Sequence, residues 1–331
     1  MGETQPQPQR PASIAIGDEP VVLKDALAKP HTPSLATSAD APREWNTNQL
    51  GLRLGSDALA AGAAGVLVAP IITMIDKGIM ENASGRNTLG ESLKKSAREL
   101  FLKPHRFLTG KPFVLIFVRH QTTTSHRAHS QLTCIVTQTL YFGTYLTANT
   151  IDTLASSRAH TPITTTTAGS TKFLATSTSN LALCLYKDNQ FTQLFGSTTG
   201  PKRPVPFPTF ALFTVRDCLT IFASFNLPPI LAPRLNQHMS DELRKYVGAA
   251  SVAQFVTPAA IQLVSTPLHL LGLDLYNRPH ANLGGAEGRV GQVVKNWGKS
   301  AVARVGRIVP AFGVGGVVNM KTRQALLGRV E

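Results

Sequence analysis

The chain has 331 residues and carries 33 Lys and Arg against 19 Asp and Glu, a net charge of +14, yet charged residues make up only 16% of it. That is too few for an ordinary soluble domain, of which about a quarter is charged. It also lacks the basic runs interleaved with aromatics, and the zinc-finger spacing, that would mark a nucleic-acid reader.

Residues 1–50 are rich in Pro, Gln, Ala, Ser and Thr without periodicity, which predicts a disordered tail. It holds no apolar h-region, and its acidic residues argue against an Arg-rich presequence. From residue 51 to 331 the chain reads as one membrane domain. The first apolar run is Asp57 to Ile79, with Asp57 as its cap, Ala61 and Gly65 spaced for a close neighbour, Pro70 inside, and Asp76 at its end. A basic loop, 77–112, follows. Within it Leu93, Ala97, Leu100 and Phe101 share one face of a short amphipathic helix suited to the headgroup plane.

Phe113 to Val118 starts a second run that stops abruptly. Residues 119–139 are mostly polar, and Leu140 to Leu154 resumes the apolar pattern. Neither half crosses a bilayer core alone, since about 20 residues are needed. The joined halves do, so 119–139 reads as a spurious insertion, a translated intron. His126, His129 and Cys134 within it match no metal-ligand spacing. The third run is Lys172 to Phe195. The fourth is Thr209 to Leu231, with Arg216 and Asp217 in its middle and Pro228–Pro229 near its end.

The fifth run, Val247 to Leu273, contains no charged residue but a titratable His269. Pro258 and Pro267 invite kinks, and Ser, Thr and Gln give it one polar face. A second basic, Gly-rich stretch, 280–307, leads to a shorter sixth run from Val309 to Val318, where Gly313, Gly315 and Gly316 suit close helix contact. Cys134, Cys184 and Cys218 form no CxxC pair. No carboxylate pair, triad or metal set is visible, so no enzyme, cofactor or metal is expected. The basic loops fit anionic lipid headgroups, such as those of cardiolipin, better than nucleic acid.

Two runs joined by a basic loop, taken three times, suggest an internal repeat over 51–158, 170–235 and 243–331. With 119–139 set aside, the interval from Pro70 to Pro267 halves at Ser179. These features, with Arg307 and Pro310 opening the sixth run, resemble the mitochondrial carrier family, in a divergent, fungal-type form. The resemblance implies an all-α membrane protein of six transmembrane helices in three pseudo-repeats. It places the protein in a mitochondrial membrane, inner or outer, moving a small anionic metabolite by alternating access. The family's P-x-[DE]-x-x-[KR] motif is degraded here. Its acidic positions fall on Ile72, Leu181 and His269 and its basic ones on Ile75, Cys184 and Gly272, so no gate pair survives. The alternative is a non-transporting scaffold or insertase-like protein of the outer membrane.

An ionisable residue inside a membrane helix marks a functional site by default. Arg216 would meet an anionic solute with Asp217 as its partner. His269 would bind solute or a backbone carbonyl. Pro70, Ser179, Pro267, Lys187 and Asp274 mark degenerate gate and repeat positions, Asn180 accompanies them, and Lys187 alternatively snorkels to the headgroups.

Basic residues are concentrated after the odd runs, which predicts both termini on one side of the membrane and residues 77–112 and 280–307 on the other. Protease protection of sealed membranes tests this. Cleavage at Lys94 and loss of a C-terminal tag from the same face would contradict it.

Overall fold

The computed structural model describes residues 45–102, 126–159, 161–164, 169–196, 204–240, 242, 248–285 and 287–330. Their regular elements are all helices, with no strand among the described residues. In chain order they form α1 (Leu50–Ala83), α2 (Leu89–Leu102), α3 (His126–Ala159), α4 (Ser170–Phe195), α5 (Phe207–Phe225), α6 (Leu227–His238), α7 (Ala249–Asn277) and α8 (Arg289–Gly306). A π-helical segment (Val309–Val314) then leads into α9 (Gly315–Leu327).

α1 is rich in Ala, the best helix former, and runs unbroken through Pro70. α3 and α4 are the Thr- and Ser-rich helices, poor formers on propensity alone. In α3 the hydroxyls turn back on the helix: Thr137, Thr139, Thr144 and Thr147 donate to the carbonyls of Thr133, Ile135, Leu140 and Gly143, each at 2.8–2.9 Å. A hydroxyl satisfied in this way needs no water. α5 and α6 meet at a 46° bend, where Pro228 and Pro229 withhold backbone donors. In α7, Pro267 lacks the N–H that would engage the carbonyl of Leu263. The Trp297 indole N–H of α8 donates to that oxygen instead, at 2.8 Å, and so pins α8 to α7.

The burial pattern is inverted relative to a soluble protein. Along α7, Phe255, Val256, Leu263 and Val264 face outward, whereas Gln262, Ser265, Thr266 and His269 are buried. In α1, Leu59, Val66 and Leu67 are outside while Asp57, Thr73 and Asp76 are inside. Apolar outside and polar inside is the arrangement lipid selects. Among the described residues, three helical stretches are long and apolar enough to cross a membrane: Leu50–Ala83, Ser251–Asn277 and Arg289–Leu327. The bent pair Phe207–Phe225 and Leu227–His238 makes a fourth if counted as one span. α3 and α4 have the length but are too polar to meet the same test, so six spans are met only in part.

α1 packs along α3, α9 and α2; α7 packs along α5, α8 and α6; and α4 lies between α3 and α5. Residues 126–139, expected outside the bundle, form the first part of α3. Thr133 and Thr137 are fully buried, and Thr73 Oγ1 on α1 donates to Thr137 Oγ1 at 2.9 Å. The rest of that stretch, 119–125, lies outside the described residues, as do Phe113–Val118 and residues 1–44. The amphipathic helix in the first basic loop is present as α2, opened by a reciprocal capping pair: Thr88 donates through N and Oγ1 to Glu91 Oε2, and Glu91 N donates to Thr88 Oγ1. Its innermost residues are Ser92 and Ser96, while Phe101 is exposed. Small side chains let α2 approach α1, which explains why its large apolar residues are not the ones most deeply buried. The stretch 280–307, expected as a loop, is largely helix α8.

Of the three late glycines, Gly315 carries the close contact. A Cβ there would come within 2.8 Å of Val68 Cγ2 and would also collide with the Tyr145 hydroxyl, whereas Gly316 faces open space. Gly315→Val is therefore expected to cost about 1–3 kcal/mol by overpacking. Gly316→Val should cost far less, a difference that thermal unfolding of the detergent-purified variants will read.

Candidate solute site in the bundle core

Seven charged or titratable side chains meet in one buried layer across the bundle. Asp76 of α1 accepts from Lys187 Nζ of α4 at 2.6 Å through Oδ2, and from Arg307 Nη1, between α8 and the π-helical segment, at 2.7 Å through Oδ1. Lys187 Nζ also pairs with Asp188 Oδ1 at 2.8 Å. Asp188 Oδ2 accepts from Arg216 Nη2 of α5 at 2.6 Å. Arg216 grips its neighbour Asp217 through Nε and Nη2, at 3.0 and 2.7 Å. Its Nη1 lies 2.7 Å from His269 Nδ1 of α7. Arginine only donates, so that imidazole nitrogen is the acceptor.

One helical turn toward the α1 C-terminus, Met80, Phe191, Phe213 and Leu273 close ranks with Val136 and Phe195 into an apolar cluster. Phe213 lies 5.0 Å from the Arg216 guanidinium carbon and Phe191 5.2 Å from Lys187 Nζ, so rings cap the charged layer through cation–π contact. The backbones come close at this end: a Cβ on Gly272 would sit 2.8 Å from the Phe213 ring, and Thr209 Oγ1 donates to the Gly272 carbonyl at 3.0 Å.

On the other side of the layer lies a cavity of about 170 Å³, small beside the 300–1,000 Å³ or so of drug-sized sites. Its charged end is lined by Lys187, Arg216, Asp217 and Arg307, and its neutral polar end by Thr144, Asn180 and Thr220. Tyr141, Tyr145, Ile221, Ile308 and Ala311 supply the walls. Tyr145 donates to the Ala311 carbonyl at 2.8 Å. Asn180 Nδ2 donates to Thr144 Oγ1 at 3.2 Å, and the Cys184 thiol lies 3.7 Å from Asn180 Oδ1.

Beyond the cavity a second polar layer joins the other ends of α1, α3 and α9. Arg323 Nε donates to Asp57 Oδ1 at 2.7 Å, Thr153 donates to Asp57 Oδ2, and Asn149 and Asn319 exchange amide hydrogen bonds at 2.9 and 3.0 Å. Asp57 and Asp76 are 19 positions apart on one helix, or about 28 Å at 1.5 Å per residue, which is close to the thickness of a bilayer core.

Arg216, Asp217 and His269 thus fall in one contiguous cluster, and Arg216 and Asp217 line the cavity. Arg216 is fully engaged by side chains. His269 meets that guanidinium and the Phe213 ring, at 5.2 Å between centroids, rather than a carbonyl. Lys187 does not snorkel: it is buried between two aspartates. The interior is not devoid of gate-like pairs either, but they use Asp76, Asp188 and Arg307, off the motif positions. Ser179 shares a hydrogen bond with Thr147 at 3.1 Å, and Pro70 and Pro267 lie within α1 and α7. Asp274 belongs to a separate pairing with Arg278 and Arg289.

The residues missed were Asp57, Asp76, Asp188, Arg307 and Arg323. Asp57 was taken for a cap and Asp76 for a terminus, although α1 extends seven positions beyond each. Their position inside an otherwise apolar run was the available signal.

Breaking a buried pair by removing one partner costs about 3–5 kcal/mol, whereas replacing both with apolar groups is often neutral. Asp57→Ala is expected to lower stability by about that amount. Adding Arg323→Met should recover much of it, as a double-mutant cycle on thermal unfolding will show.

No curated protein and no solved structure matches the chain. A family model described as "Probable citrulline exporter" matches residues 60–327, which include the cavity, the Asp76 layer and, of the second layer, all but Asp57. Its members are membrane transport proteins, not enzymes, and the chain is a multi-pass membrane protein of that kind. The match overturns the mitochondrial-carrier assignment, and with it the expected anionic metabolite and the scaffold alternative. The prolines and basic loops behind that resemblance serve any kinked, polar-lined bundle. The chain belongs to the family described as "Probable citrulline exporter".

Proposed function

We propose that the protein exports citrulline, or a neutral amino acid of similar size and polarity, through the cavity between the two polar layers. The observation that carries this reading is the family match over residues 60–327, most of the helical core. The shape and chemistry of the cavity support it. Citrulline is a zwitterion with an uncharged ureido tail: it is too polar for lipid, yet carries no net charge. A cavity with a carboxylate and guanidinium groups at one end and amide and hydroxyl groups at the other offers such a molecule partners along its length.

In this reading α1, α3, α4, the bent α5–α6 pair, α7 and Val309–Leu327 are the six crossings. α3 crosses despite its polarity because its threonine hydroxyls bond to their own backbone, and α4 crosses beside it through Ser179 and Asn180, which pair with Thr147 and Thr144. Purified protein in liposomes loaded with labelled citrulline tests the function. The expected result is protein-dependent, saturable efflux, with labelled uptake stimulated by citrulline inside. Efflux no faster than from protein-free liposomes would overturn it.

A further inference from the structure

The cavity has two chemically different ends, and they fix which way round a solute lies and what tail it can have. Asn180, Cys184 and Lys187 share one face of α4, so the amide end and the charged end are separated by seven residues, about 10 Å of helix rise.

At the charged end, Lys187 and Arg216 are consumed by aspartates, with side chains 4% and 3% exposed. Arg307 is more open, at 18%, and of its nitrogens only Nη1 is bonded among the described residues. The rest of that guanidinium is available to a carboxylate. Asp217 gives one lone pair on each oxygen to Arg216 and retains the capacity to accept from an ammonium.

The layer also has a charge surplus. Lys187, Arg216, Arg307 and Arg304 stand against Asp76, Asp188 and Asp217. Arg304 is buried, makes no ion pair among the described residues, and holds only the cavity residue Gln262, Oε1 at 2.9 Å; its Nη2 has no acceptor.

At the opposite end the lining holds no ionised group. Asn180 Oδ1 has only the weak thiol contact, which leaves a carboxamide edge facing the cavity.

We infer that the solute binds with its carboxylate on Arg307 and its ammonium at Asp217. Its tail lies against Asn180, which selects neutral, amide-like tails and excludes cationic ones. This assignment rests on the export reading and adds orientation and specificity to it. A ureido group pairs with the carboxamide of Asn180. The ammonium of ornithine or the guanidinium of arginine would be desolvated there without a counter-charge, beside a layer already rich in cations.

Cys184 reports occupancy without requiring transport. It lines the cavity one turn from Asn180, so in a Cys134→Ala, Cys218→Ser background it is the only thiol left to react with methyl methanethiosulfonate. In detergent, citrulline is expected to slow that reaction and ornithine is not. Asn180→Ala should weaken protection by citrulline about tenfold, the effect of losing one buried pairing. Asn180→Asp should reverse the preference, so that ornithine now protects. Melting temperatures of both variants establish that they fold.

Protection by ornithine equal to that by citrulline in the parent, or unchanged selectivity in both variants, would overturn the inference. Lack of citrulline protection in the parent would overturn it too. Citrulline protection with the predicted selectivity but no efflux from liposomes would leave the inference standing and overturn the export reading instead.

Discussion

The carboxylate of Asp76 is the group on which this bundle closes. It is buried and sits in α1, and its two oxygens are taken by cations from α4 and from the start of the last membrane segment. Three stretches far apart in sequence are held at one point by one side chain. In an interior of low dielectric such a contact is strong only if every charge is answered, and the bonds continue in order through Lys187, Asp188, Arg216 and Asp217 across the bundle. The aromatic rings packed beneath exclude water from the layer on that side. On the other side the same charges form the floor of the cavity. Without Asp76, Arg307 would lose its ion-pair partner and Lys187 would keep only Asp188, so α1 would no longer be tied to α4 and the last segment at this point.

The composition of the chain follows from that interior. A bundle that keeps ionised groups and amides inside and faces lipid outside needs few charges in total, but most of them must be paired. That accounts for a charged fraction of 16% alongside an inverted burial pattern. The hydroxyl-rich helices solve a related problem. Thr gives polarity to the cavity side of α3, yet its hydroxyls bond back to their own carbonyls, so their cost in lipid is small. Proline is handled by specific partners: the carbonyl freed by Pro267 goes to Trp297, which places α8 against α7 just where Arg304 can reach Gln262.

Much of this was legible in the sequence. The uncharged fifth run, with its buried Gln, Ser, Thr and His, reads as a polar-faced membrane helix because side-chain type and spacing decide it locally. Arg216 and Asp217 stand out because two charges interrupt an apolar run. Asp76 did not, because the end of an apolar run and the end of a helix are different things, and packing carried α1 on to Ala83. Lys187 looked able to reach the headgroups, and only the tertiary position of Asp76, 111 positions earlier in the chain, shows that it turns inward. The gate-like pairs are hidden in the sequence for the same reason: they do not stand at fixed spacing from proline but are made between helices, by residues whose register is set in three dimensions. In α2 the apolar pattern located the inner face only in part: Leu93 packs toward Gly78, but Ser92 and Ser96 are the most deeply buried residues and Phe101 is exposed.

The two polar layers are not equivalent, and the difference bears on how a solute could move. At the Asp57 end two separate ion pairs, Arg323 with Asp57 and Lys172 with Asp152, are flanked by neutral hydrogen bonds from Thr153, Asn149 and Asn319, which water can replace at little cost. At the Asp76 end, separating the helices strands several ionised groups at once, and their apolar backing leaves no water to take over. A ligand shifts such an equilibrium only by as much as it binds one state better than the other. A zwitterion meets that requirement at the charged layer in a way that an uncharged solute cannot. Its carboxylate can take up a guanidinium released by Asp76, and its ammonium an aspartate released by Arg216. Under the proposed export of a zwitterion, the groups that close the bundle would also be those that recognise what passes through it, and opening at that end would be coupled to the presence of the solute by the charges themselves.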